Sequence, residues 1–231
     1  MPGFTYKEAY YEADKKVLEV NILPEKHCNF DCIFCPIGRS THKGDTPLNF
    51  DASEDALSVL AHKIDVITPD LVFINSMGEA LVHDEVKDVI ALIQSKNVAV
   101  RLLTNGYLLG TQLYIDIANA CEEVIGEIKV ITEEAFQKVQ RPMEGYTLEA
   151  YIDNMSTFSK QYEGVFILEV TIIKGYNDDD QSIENMKAII KRIAPTRIIV
   201  ARIEDAPFYK KLGLSDERFD QIAEILHSTL T

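Results

Sequence analysis

Hydrophobic residues along the chain gather into short runs rich in Val, Ile and Leu, and these alternate with stretches whose apolar positions recur at helical spacing. The runs predict strands over residues 17–23, 71–75, 98–104, 123–131, 165–173 and 196–202. Continuous apolar, β-branched runs bounded by turn residues suit a strand covered on both faces. The helical stretches predict helices over 53–67, 84–95, 109–120, 133–139, 148–161, 180–193 and 216–229, with Ser53 as N-cap of the first. Strands alternating with helices predict parallel pairing through right-handed crossovers. Six strands are too few for a closed eight-stranded barrel. The expected fold is therefore α/β, an open partial (β/α)6 barrel with parallel strands. One domain over 1–231 is expected, with a core at about 17–207 and a C-terminal helix within 208–231. In such a fold reactive groups gather at the carboxyl ends of the strands.

The first predicted strand runs into Cys28-Asn29-Phe30-Asp31-Cys32-Ile33-Phe34-Cys35. Three thiolates at this spacing on a short loop can converge on one inorganic centre. A closed tetrahedral zinc site needs four ligands, and a 4Fe–4S cluster has four irons to satisfy. With three local cysteines, a cluster would keep one iron open to a substrate-like ligand. Zinc completed by His42 stays open as an alternative; His27, adjacent to Cys28, is worse placed to converge. The remaining cysteine, Cys121, sits in an apolar context and reads as a small buried hydrophobe. No second cluster of the multi-cysteine kind can be built from it.

Composition narrows the partners. A formal charge of −14 repels phosphate backbones and anionic membranes. The basic stretch at Arg39, His42 and Lys43 is short, so nucleic acid is disfavoured. No apolar run reaches the roughly 18 residues that would span a membrane, and residues 1–16 lack the apolar segment of a signal peptide. Few, unevenly spaced cysteines argue against a disulfide framework. The expected location is the cytoplasm.

The C-x3-C-x2-C spacing, with aromatic Phe34 before the last cysteine, resembles the radical S-adenosylmethionine superfamily. Residues 20–35, followed by Gly38-Arg39-Ser40-Thr41, are similar to the small branch related to the wyosine tRNA-base synthases. Further likenesses are Gly78-Glu79, where Ala80 replaces the usual Pro, Thr104-Asn105-Gly106, Phe136 through Arg141-Pro142, and Lys174-Gly175-Tyr176-Asn177-Asp178. Residues 4–16 are rich in Tyr and Glu where that branch carries a basic segment, which turns the expectation away from tRNA.

The resemblance implies an oxidoreductase-type enzyme with two cofactors, a 4Fe–4S cluster held by Cys28, Cys32 and Cys35, and S-adenosylmethionine. Reductive cleavage would yield a 5′-deoxyadenosyl radical that abstracts hydrogen from a substrate. Phe34 would shield the cluster. Gly78 would let backbone approach the cofactor, and Glu79 would accept its ammonium group. Asn105 and Lys129 would lie beside the cofactor. Asn177 would bond its ribose or organise the loop, and Glu169 would serve ribose or substrate. Arg39, Arg141 and Arg202 are the candidate substrate contacts. An external electron donor of flavodoxin or ferredoxin type is implied, with a small-molecule or protein substrate. Two rival readings are a glycyl-radical-type activase acting on a protein partner and a zinc-stabilised binding protein without catalysis.

Overall fold

A computed structural model describes residues 3–40, 43–49 and 54–230 of the chain. The expected Ser53 cap lies outside the described residues. The strands are β1 (Thr5–Tyr6), β2 (Tyr10–Glu12), β3 (Lys15–Asn21), β4 (Leu71–Ile74), β5 (Ala99–Leu103), β6 (Glu123–Ile128), β7 (Val165–Ile172) and β8 (Arg197–Arg202). The helices are α1 (Glu54–Ile67), α2 (Val86–Ser95), α3 (Gln112–Ala118), α4 (Glu133–Ala135), α5 (Leu148–Gln161), α6 (Asp180–Ile193), α7 (Ala206–Leu212) and α8 (Asp216–His227).

The strands from β3 to β8 pair in parallel and in sequence order, which is the expected (β/α) winding. β1 and β8 stand at opposite ends of the sheet, so the barrel is open. β1 and β2 both pair antiparallel with β3 and were not foreseen. Tyr6 is half-buried but Thr5 and all of β2 are exposed, so they carry no apolar run. α7 was also missed, since it buries no residue fully and begins beside Pro207. The helix expected over 109–120 is a 3-10 turn at Tyr107–Gly110 followed by the shorter α3. The one expected over 133–139 is α4 running into a π-helix at Phe136–Gln140.

Each of the six parallel strands presents apolar residues to the helices. Leu18, Val20, Val72, Ile74, Val100, Leu102, Val124, Leu168 and Val170 are almost fully buried, as are Val89, Ile90 and Ile93 of α2 and Met186, Ile190 and Ile193 of α6. Each such side chain contributes roughly 1.5–3 kcal/mol on leaving water. α6 starts where the Asp179 carboxylate accepts from the Ser182 amide at 3.0 Å, and it ends with Ala194 in left-handed backbone.

The inward face is polar. Across the register Glu19, Phe73, Arg101 and Glu123 align, and Glu127 lies opposite Glu169. Toward the amino end of the sheet, Arg101 is buried and pairs with Glu123 at 2.6 Å and Glu12 at 2.7 Å, while Lys15 reaches Glu123 at 3.1 Å. No helix among the described residues is long and apolar enough to cross a membrane.

Candidate active site

The cysteine loop follows β3 and is fastened on two sides. On one, His27 bridges to Gly78, and the Glu79 amide donates to the His27 carbonyl at 2.9 Å. Gly78 has φ +138° and a Cβ there would overlap that carbonyl, so only glycine allows the two segments to meet. On the other, the Asp31 amide donates to the Gln140 carbonyl at 3.0 Å and the Ile33 amide to that of Val139 at 2.9 Å. Phe30 lies edge-on to Phe136, Tyr107, Tyr146 and Tyr151, with centroids 5.5–6.4 Å away. The buried Asp31 carboxylate accepts from the Ser40 amide at 2.8 Å and pairs with Arg39 at 2.6 Å. Lys26 and Arg141 approach it to 4.0 Å.

Inside the loop lies a cavity of about 190 Å³. Cys28, Cys32, Cys35 and Phe34 line it from the loop, Gly78 from beyond β4, Thr104 and Asn105 from beyond β5, and Glu127 and Lys129 from the end of β6. The strand ends therefore bring the cysteines together with Gly78, Asn105 and Lys129. Burial, then the nearby Glu79 carboxylate, pushes the Cys28 thiol far above its ordinary range. Burial likewise pushes Cys32 up to about 12, with the Lys129 ammonium pulling the other way. Asn105 turns its amide toward the Cys28 sulfur at 3.8 Å and donates to Asn29 at 2.5 Å. Lys129 is held by Glu127 at 2.7 Å and lies 5.4 Å from the centre of the Phe34 ring. Glu127, which the sequence reading passed over, shares a strand face with Lys129 at a spacing of two residues.

Other expected residues sit outside this lining. Glu79 is fully buried behind it and accepts from the Asn105 amide at 2.8 Å, the Thr104 hydroxyl at 2.9 Å and the Leu81 amide at 3.1 Å. Its carboxylate thus braces the loop after β5. Asn177 is also fully buried. Its side chain donates to the Lys129 and Thr171 carbonyls at 3.0 and 2.9 Å and accepts from the Ile173 amide at 2.7 Å. These bonds organise the loop after β7. Glu169 faces Glu127 and Lys129, and burial raises its carboxyl to about 7. Arg39 and Arg141 converge on Asp31, whereas Arg202 pairs with Asp216 of α8 at 2.5 Å, far along the chain from both. The His27 imidazole packs against Gly44, and His42 lies outside the described residues. Among the described residues, no three His, Cys, Asp or Glu side chains gather closely enough for a single metal ion.

The model of the Radical SAM superfamily (SAM, S-adenosylmethionine) matches residues 22–186, the stretch from just after β3 into α6 that carries every group of the cavity. The chain belongs to the radical SAM superfamily. Among curated proteins this radical SAM chain is 27% identical over 213 residues to a UPF0026 protein of Helicobacter pylori, covering 87% of the chain and 67% of that relative. The chain thus spans about two thirds of the length of the relative it matches. Among solved structures it superposes on TYW1 with a lysine-pyruvate adduct bound, at a TM-score of 0.68 and 15% identity, covering 92% of this chain and 73% of the other. A radical SAM methyltransferase from Sphaerobacter thermophilus gives a TM-score of 0.68 at 14% identity, covering 96% and 66%. Likenesses at this identity establish the fold.

Radical SAM enzymes bind an iron–sulfur cluster and SAM, and the donors present suit that pair. Three thiols share the cavity, and the one carboxylate in its lining, Glu127, is occupied by Lys129. The set is soft, thiolate in character and one ligand short of four.

Proposed function

We propose that this chain is a radical SAM enzyme in which Cys28, Cys32 and Cys35 hold a 4Fe–4S cluster and leave one iron for SAM. One observation carries the reading: all three thiols open into a single cavity at the carboxyl ends of β4, β5 and β6. A bound cluster would supply the electron for reductive cleavage of SAM and thereby the radical chemistry that abstracts hydrogen from a substrate. Phe34 excludes water from the cluster. The Asn105 amide supports the Cys28 sulfur, and Lys129 offers a cation to the carboxylate of SAM. Gly78 keeps that wall free of side chain.

A second cavity, of about 340 Å³, shares Pro36, Ile37 and Ser76 with the first and is lined by Glu19, Asn21 and Asn75 on the inward face. Its size suits a small molecule, and its lining suits a polar one. Residues 1–231 act on this reading as one catalytic unit, served by a cytoplasmic electron donor. Anaerobic reconstitution with iron and sulfide should load about four irons per chain, and dithionite with SAM should then release 5′-deoxyadenosine. Protein that takes up one zinc, no iron, and leaves SAM intact would refute the proposal.

A further inference from the structure

Glu19 lines the second cavity from the inward face of β3, and only 6% of its surface is exposed. A carboxylate so far from water needs partners. Its Oε1 pairs with the Lys7 ammonium at 2.6 Å and accepts from the Asn75 amide at 2.8 Å. Its Oε2 has no partner among the described residues. Donation to Glu19 turns the Asn75 NH2 toward the carboxylate and leaves the Asn75 Oδ1 without a partner among the same residues. Asn21, on the same wall, is fully used: its side chain donates to Thr5 and Leu23 and accepts from the Leu23 and Met77 amides. The wall therefore still offers a guest two acceptors. Lys7 stands at the rim with 68% of its side chain exposed. An ion pair so open to water is weak and yields to a competing cation. Pro36 and Ile37, shared with the cysteine-lined cavity, and Met77 give the second cavity an apolar side. Elsewhere on the inward face, Glu127 spends its charge on Lys129 at 2.7 Å, and Glu169 opposite it has no ion pair among the described residues.

We infer that this cavity takes an organic cation with N–H donors, a primary ammonium or a guanidinium on a short alkyl stem. The inference rests on the proposed function for the guest's role as substrate; binding itself needs no cluster. The head group would bridge the Glu19 Oε2 and the Asn75 Oδ1 and displace Lys7 toward solvent. The stem would lie along Pro36, Ile37 and Met77, which brings its C–H bonds to the boundary with the cysteine-lined cavity. Hydrogen bonds from a cation to a carboxylate are charge-assisted and stronger than neutral ones. The formal net charge of −14 also draws cations to the molecule and repels anions.

Equilibrium dialysis of n-pentylguanidinium, n-pentylurea and hexanoate against the reconstituted full chain tests this, because the three share a stem and differ in the charge of the head. The guanidinium should bind saturably and at least about tenfold more tightly than either of the others. Glu19→Gln keeps the shape of the side chain and should erase that preference. Lys7→Met, at an exposed position, should tighten guanidinium binding about two- to fivefold by removing its competitor. The Lys7 variant carries the test even if Glu19→Gln protein does not fold. Equal binding of urea and guanidinium, tighter binding of hexanoate, or weaker guanidinium binding in Lys7→Met protein would overturn the inference. Dialysis reads no turnover, so the two readings fail separately. SAM cleavage without the guanidinium preference defeats this inference alone, and the preference without iron uptake or SAM cleavage defeats the proposed function alone.

Discussion

At the scale of single residues, the four cysteines divide by surroundings. Replacing Cys28, Cys32 or Cys35 with Ala should abolish stable iron incorporation, read by iron analysis after reconstitution. Cys121→Ala should leave iron content unchanged and cost about 1 kcal/mol in thermal unfolding, since that thiol is buried, with Ile117 behind it and Tyr162 bonded to its carbonyl. Gly78→Ala should cost more, about 1–3 kcal/mol from backbone strain alone, with the overlap on His27 added. The cysteine trio and Gly78 were legible in the sequence because spacing and residue type carry their meaning locally. The hydrogen-bonding settings of Asp31 and Glu79 were not legible, because their partners, Arg141 for one and Thr104 with Asn105 for the other, are supplied by distant segments.

Between elements, Asn177 ties the end of β6 to β7 and to the start of the following loop. Asn177→Ala leaves the Ile173 amide and two carbonyls without that partner, each unsatisfied group costing about 1–3 kcal/mol. Chemical denaturation should register the loss, and Lys129, whose carbonyl is one of the two, should lose its fixed position. The six parallel strands could be read from the sequence because both their faces are covered, which demands continuous apolar runs. β1 and β2 could not. They are short edge strands with polar outer faces, and only pairing with β3 makes them strands. The same holds for the helix at 109–120, where Gly110 and Thr111 break a pattern whose apolar periodicity runs straight through.

Across the whole molecule, buried carboxyls set how stability responds to pH. Burial raises both Glu79 and Glu169 from 4.5 to about 7. A carboxyl raised by folding contributes its full stabilisation below about 4.5, where folded and unfolded chains are both protonated, and loses it as pH climbs through 7. Metal-free protein should therefore melt at a lower temperature at about pH 8 than at about pH 5.5, and Glu169→Gln should flatten that slope. Arg101→Ala should cost about 1–3 kcal/mol by denaturant titration, because it removes the guanidinium from buried Glu123 and leaves that carboxylate with Lys15 alone. The same Arg101 network has a consequence for turnover. With Glu12, Glu123 and Lys15 it fills the inward face toward the amino end of the sheet, away from the cysteine-lined cavity at the carboxyl ends. On the proposed function, SAM would enter and its fragments would leave on the carboxyl side. Methionine and 5′-deoxyadenosine should thus inhibit in competition with SAM.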